Sequence, residues 1–196
     1  MNHYIDVDVQ PDPDFPATQL MSALYGRLHR ALAGEGTTEV GVSFPQMFER
    51  LGSNPRHQEH LLGCCMRLHG TSAALATLLA SDWLKGMRDH VDMTPMHPVP
   101  AQATHRKVYR VQTKSSPERL RRRFMRRHNV SEQEARARIP DDMAPRYASW
   151  PSVDLRSSST GQSFKLFIAH GPEQPEPEAG SFSAYGLSQG STIPWF

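Results

Sequence analysis

An α+β fold is predicted by three features of this sequence. Some segments alternate apolar and polar residues, others space apolar residues three or four apart, and the first half runs strand, helix, strand, helix. The opening "HYIDVDVQ" sets Ile5, Val7 and Val9 against Asp6 and Asp8, as in a strand with one buried face. "PDPDFP" breaks it, and a helix starts near Pro16. Leu20, Leu24, Leu28, Ala31 and Leu32 share one face of that helix, and Gly34 and Gly36 stop it. Thr38 to Phe44 alternates again, with Val40, Val42 and Phe44 on one side. "TSAALATLLASDWLKGMRDH" reads as a second helix, striped by Leu75, Leu78, Leu79 and Trp83. Three prolines in "MTPMHPVPAQAT" leave no period, so a boundary is expected there: one unit over 1–94, a linker over 95–104, a second unit over 105–196.

The second unit begins with the extended segment "RKVYRVQT". Alternation puts Arg110 and Gln112 on one side, with Tyr109 and Val111 on the other. Ser116 and Pro117 suit a helix cap and first turn, so "PERLRRRFMRRHN" is expected to be helical over about 117–128, ending at His128 and Asn129. "SEQE" (Ser131 to Glu134) is a capping box for another short helix, which stops before Pro140. Apolar-rich runs on either side of "STGQ" (Ser159 to Gln162) predict a hairpin, and "GPEQPEPEAG" an acidic loop.

A chain of 196 residues can bury a core without disulfides. No stretch is apolar enough to span a membrane, and the N-terminus lacks the basic-then-apolar pattern of a signal peptide. The only cysteines, Cys64 and Cys65, are adjacent and poorly placed to pair, which suits a reducing cytosol. The net charge of +2 conceals an asymmetry. Residues 1–104 carry 7 basic and 11 acidic side chains, a balance of −4, whereas 105–196 carry 15 and 9, a balance of +6. Within 106–127 there are 10 basic residues against Glu118 alone. A local field of that size steers polyanions.

Arg119, Arg122, Arg123 and Arg126 fall within an arc of about 100° on the predicted helix, while Leu120 and Phe124 lie on an adjacent face that can dock on a core. A solvated helix face usually mixes signs at helical spacing, and this one is almost all arginine. Arginine also meets phosphates and guanine edges with two-pronged hydrogen bonds, so nucleic acid is the expected partner. An isolated helix suits the major groove of duplex DNA. The A-form RNA groove is too narrow for one, except where it opens near the end of a short hairpin stem.

His29 lies about 120° from the apolar centre of the first helix, beside Ser22 and Tyr25, which favours an accessible imidazole over a core one. Such a group is a suitable proton acceptor at neutral pH. "HQEHLLGCCMRLH" holds His57, His60, Cys64, Cys65 and His69, all possible zinc ligands, but their spacing fits no common zinc pattern. It is read as a local helix with incidental histidines, and no metal is expected.

"PERLRRRFMRRHNVSEQEARARIP", "LRSSSTGQSFKLFIAHGP", "YGLSQG", the terminal "PWF", "PATQLMSALYGRLHRAL" and "VGVSFP" together resemble the type I-F CRISPR repeat-processing endoribonucleases, a branch of the Cas6 superfamily. The resemblance covers most of the chain, excepting 47–71 and the acidic loop over 172–180. It implies a ferredoxin-like (RRM-like) N-terminal domain and a smaller C-terminal α/β domain bearing the arginine-rich helix. It also implies binding of the repeat stem-loop, metal-free cutting at the 3′ base of the stem by 2′-hydroxyl attack, and retention of the mature crRNA. No cofactor is implied. The expected setting is a monomer in the cytoplasm that joins other subunits of a surveillance complex, with no membrane contact.

Matching motifs make His29 the catalytic histidine, Ser157 the active-site serine with Ser159 nearby, and Tyr185 the active-site tyrosine. Arg110 and Gln112 match a base-reading pair at the foot of the stem, and Arg123 matches an arginine on a base edge. Arg122, Arg126 and Arg127 fall on phosphate-contacting positions, with Arg119 on the same RNA-facing arc, and Phe164 matches an aromatic that stacks under the last base pair. From the residues alone, Ser157 and Ser159 would be two serines on one strand face. Tyr185 and Phe164 are equally suited to core packing, since Phe164 alternates with Leu166 and Ile168. A non-catalytic hairpin-RNA binder and a DNA-binding regulator are the competing readings.

Overall fold

Ile5, Val7 and Val9 project from strand β1 (His3–Val9) into the core, each under 5% exposed, as the alternation requires. The structure, a computed structural model, describes residues 1–51, 58–112, 117–140, 150–157 and 160–196. The expected cap Ser116 and the candidate Ser159 lie outside the described residues. Helix α1 (Ala17–Glu35) buries Leu20, Leu24, Leu28 and Leu32 and ends at Gly36, whose φ of 63° takes the left-handed cap open to glycine. It buries Met21 and Tyr25 as well, so the apolar face is wider than the leucine stripe.

Strand β2 (Gly41–Ser43) is followed by a hairpin of β3 (Phe48–Leu51) and β4 (Gln58–Leu61), and then by β5 (Cys65–Gly70). Here the expectation of a local helix over the histidine and cysteine segment is corrected: 58–61 and 65–70 are strands. Cys65, Met66, Leu68, His69 and Gly70 are all buried, because β5 is central and covered on both faces. A strand covered on both faces carries no period-two signal.

Helix α2 (Ser72–Ala80) is capped by the Thr71 side chain and is shorter than expected. The Ser81 hydroxyl donates to the Leu78 carbonyl at 2.7 Å, and Asp82 turns the chain at a φ of 51°. Trp83, Leu84 and Met87 are then buried from turns, not from a longer helix. Strands β6 (Val91–Met93) and β7 (His97–Pro98) follow, β7 lying within the proline-rich stretch and pairing with His3 and Tyr4. The sheet order is β2–β5–β1–β6 with all neighbours antiparallel. Together with helices α1 and α2, this is the βαββαβ arrangement of a ferredoxin-like fold.

Strands β8 (Thr104–Arg106) and β9 (Val108–Val111) lead to helices α3 (Pro117–His128) and α4 (Glu132–Arg138). The chain closes with β10 (Ser152–Arg156), β11 (Ser163–His170), β12 (Ser181–Phe182), β13 (Ser188–Gln189) and β14 (Ile193–Trp195). The predicted hairpin is β10–β11, with β9 on its other edge, and β14 pairs with β8. Val153, Leu155, Leu166, Ile168, Phe182 and Ile193 share one core with the leucines of α1 and the valines of β1. The approach is closest at Gly186, which has a φ of 69° and where a Cβ would sit 2.4 Å from Val42. No other residue fits there.

The docking set of α3 is larger than the expected pair of Leu120 and Phe124. Arg121 is 5% exposed, and its Nε donates to the Ile139 carbonyl at 2.7 Å, at the end of α4. At 100° per residue, Leu120, Phe124 and Arg121 span one side of the helix. One of the six arginines is therefore structural. The predicted capping box is present, with Ser131 and Glu134 bonding reciprocally, and Ala135 of α4 is fully buried. Arg121→Ala removes a charge-assisted bond worth about 1.5–3 kcal/mol. Hydrogen exchange is expected to rise through 117–139 and to stay unchanged in β1.

Candidate active site

A groove of about 1630 Å³ runs along α1 between that helix, the β10–β11 hairpin and the end of β4. His29, Ser157, Phe164 and Tyr185 all line it, although they come from three separate stretches of sequence. His29 is half-buried on α1, with Nδ1 2.9 Å from the carbonyl oxygen of Ala184. A carbonyl only accepts, so Nδ1 carries a hydrogen and the neutral ring keeps its lone pair on Nε2. The Tyr185 ring stacks on the imidazole at 3.8 Å with 9° between planes, which fixes its tilt. His29 is thus a preset proton acceptor.

The loop carrying Tyr185 is held from several sides. The fully buried Tyr25 hydroxyl donates to the Tyr185 carbonyl at 2.8 Å, and burial pushes the Tyr25 phenol well above its ordinary pKa, so it remains a donor. Gly186 N–H donates to the Ser183 carbonyl at 2.8 Å, and the Ser183 hydroxyl accepts from the N–H groups of Tyr185 and Leu187.

Ser157 follows the last residue of β10, so the period-two argument that placed it on a strand face does not apply. Its Oγ accepts from the Thr160 N–H at 3.2 Å, its carbonyl accepts from Gly161, and its N–H donates to Gln162. Ser22 fixes the hairpin against α1, accepting from the Asp154 N–H at 3.0 Å and donating to the Thr18 carbonyl. Phe164 shares its strand face with Leu166 and Ile168, which are fully buried, but it is only half-buried and reaches the groove. Its inner edge packs on the core, as the alternation predicts, and its outer edge is open to the groove.

The remaining candidates lie elsewhere. The face of β9 that is buried at Val108 emerges at Arg110 and continues to Gln112, both exposed. Arg122, Arg123, Arg126 and Arg127 are exposed on α3, and Arg119 belongs to the same helix. Arg110, Gln112, Arg122, Arg123, Arg126 and Arg127 do not line the groove. Sequence reasoning gave no site role to Tyr25, Ser22, Arg27 or Arg30 and read His60 only as a possible zinc ligand, although all but Tyr25 line the groove. Only Arg27 and Arg30 left a readable signal, as two cations on the polar side of α1.

Among the described residues, no group of three or more His, Cys, Asp or Glu side chains is placed to hold a metal ion. Cys64 is exposed and Cys65 buried, both free, and burial pushes the Cys65 thiol up. No described helix is long and apolar enough to cross a membrane.

The family model described as CRISPR-associated protein (Cas_Csy4) matches residues 4–196. The chain is 52% identical over 196 residues to the CRISPR-associated endonuclease Cas6/Csy4 of Pseudomonas aeruginosa (strain UCBPP-PA14), covering 100% of both chains. It is 41% identical over 196 residues to the CRISPR-associated endonuclease Cas6/Csy4 of Escherichia coli (strain UTI89 / UPEC), again covering 100% of both.

Proposed function

This chain belongs to the Cas6/Csy4 family of CRISPR-associated endonucleases, and from that premise we propose that it is a metal-independent endoribonuclease for CRISPR repeat RNA. It binds the repeat stem-loop and cuts at the 3′ base of the stem. The observation that carries this reading is His29, whose tautomer is set by Ala184 and whose ring is stacked on Tyr185 at the edge of an open groove.

Nε2 of His29 takes the proton of the ribose 2′-hydroxyl, whose oxygen bonds to the adjacent phosphorus. The P–O5′ bond breaks, the departing oxygen takes a proton from water, and His29 returns the proton it took to solvent. The products are a 2′,3′-cyclic phosphate and a 5′-hydroxyl. Ser157 orients the attacking hydroxyl, and Tyr185 holds the imidazole. A base and an oriented hydroxyl suffice for this step, so no metal is required. Phe164 stacks under the last base pair of the stem, and Arg110 and Gln112 read bases at its foot. The α3 arginines hold the stem itself, and the bound product stays on the protein, which works in the cytoplasm within a larger surveillance complex.

The test uses labelled repeat RNA with excess chelator. The expected products are a stem-loop ending in a cyclic phosphate and a fragment with a 5′-hydroxyl. A requirement for divalent metal, or equal affinity for duplex DNA of the same sequence, overturns the reading. Two arginines of α3 separate the modes of contact. Arg123→Ala should relax sequence preference by about 1–3 kcal/mol at one base. Arg126→Ala should weaken all sequences alike and flatten the salt dependence by about one phosphate, as binding isotherms across salt and base variants would record.

A further inference from the structure

The groove beside His29 is larger than one reaction needs. Sites for small molecules run to about 300–1,000 Å³, and this one is about 1630 Å³. It extends along α1 from Pro16 to Gly34, a distance of about 27 Å at helical rise. That leaves room for nucleotides beyond the scissile phosphate.

Its walls carry an uneven charge. Arg27 and Arg30 line it from α1, with Arg156 and Lys165 opposite, against one carboxylate, Asp154, among the described residues. Lys165 pairs with Asp154 at 3.3 Å, and Arg156 Nε donates to the Gly161 carbonyl. Neither Arg27 nor Arg30 is ion-paired among the described residues. On α1, Gln19, Ala23, Gly26, Arg27, Arg30 and Gly34 fall within an arc of about 100°. Small residues keep the groove open there, and the two arginines stand one turn apart in it. The stem-holding groups Arg110, Gln112, Arg122, Arg123, Arg126 and Arg127 do not line this groove.

We propose that this groove binds the single-stranded RNA continuing 3′ of the cut, with its phosphates on Arg27 and Arg30. This rests on the repeat-endonuclease reading and adds a subsite to it. The groups that hold the stem lie outside the groove, which leaves it to the strand that continues past the scissile phosphate. The contacts are to backbone phosphate and carry no base preference. They tether the flank during the cut and release it afterwards, since the fragment by itself has no stem contacts.

The test compares two RNAs blocked by a 2′-deoxy sugar at the nucleotide before the cut. One ends a single nucleotide past the cut, and the other about eight nucleotides past it. The parent chain should bind the longer RNA roughly tenfold more tightly at low salt, with a salt slope steeper by about 1.4 for two single-strand phosphates. In the Arg27→Ala/Arg30→Ala variant the two affinities and slopes should converge. Indifference of the parent chain to the 3′ extension overturns the proposal, as does a variant that loses affinity for both RNAs equally. An equal gain from extending the 5′ end also overturns it. The unblocked short RNA separates the two readings. If the parent chain cuts it but gains nothing from the longer flank, only the groove assignment fails; if it neither binds nor cuts it, the repeat-endonuclease reading fails as well.

Discussion

His29→Ala is expected to slow single-turnover cutting of repeat RNA by about 10²–10⁴-fold, while stem binding changes by less than about twofold. The separation follows from geometry. His29 lines the groove and touches the loop at Ala184 and Tyr185, whereas the groups proposed to hold the stem stand on β9 and α3. The loop keeps its own supports in the variant, because Tyr25 still holds the Tyr185 carbonyl and Ser183 still caps the turn. A loss in rate with unchanged affinity therefore reports the missing base. A variant within tenfold of the parent rate would place the base elsewhere. An equal loss of rate and affinity would mean that His29 supports the binding surface.

What the sequence revealed depended on whether a residue's environment lay on one side of its element. The strand at Ile5–Val9 and the helix at Leu20–Leu32 were legible because each has one wet face and one dry face. Strand β5 was not, because burial on both faces erases alternation and leaves Cys65 and His69 without a strand signal. The end of α2 was lost because Ser81 and Asp82 act through local bonds and one left-handed residue, not through period. Arg121 was invisible for a similar reason. Its neighbours are arginines of the same type, and what distinguishes it, burial and a bond to the Ile139 carbonyl, exists only in the folded chain. His29 could be placed on a polar face from spacing alone. Its stacking on Tyr185, 156 positions away, and the joining of Ser157 and Phe164 in one groove are properties of the assembled core.

That core also predicts a marked loss of stability in acid. His69 of β5 is fully buried, with Nε2 2.8 Å from the Ser43 hydroxyl and no partner for Nδ1 among the described residues. His170 of β11 accepts the Phe44 N–H through Nε2 and meets the edge of Trp195 at 5.1 Å, where the sheet joins the C-terminal strands. Burial lowers the His69 pKa from 6.5 to about 3, with Arg67, His170 and the N-terminus adding to it. Burial, with Arg106, lowers that of His170 to about 4. Both folded-state values lie below the unfolded one. The two histidines are therefore neutral in both states above about pH 6.5, and stability is lost as the pH falls from there toward 4.

Over most of that window the unfolded chain binds about two more protons than the folded one. The slope is then about 2.7 kcal/mol per pH unit, or about 4 kcal/mol by pH 5. That is a large part of the roughly 5–15 kcal/mol that a domain holds in total. The lowered carboxylates of Asp12, Glu134 and Glu178 act in a separate window, since their stabilising charge is lost only as the pH falls below about 4. Urea unfolding between pH 7.5 and 5 should show this slope, and His69→Gln should halve it whatever its effect on stability at neutral pH. A stability that stays level down to pH 5 would mean that these sites admit a proton without opening, and that the packing around His69 and His170 is looser than their burial indicates.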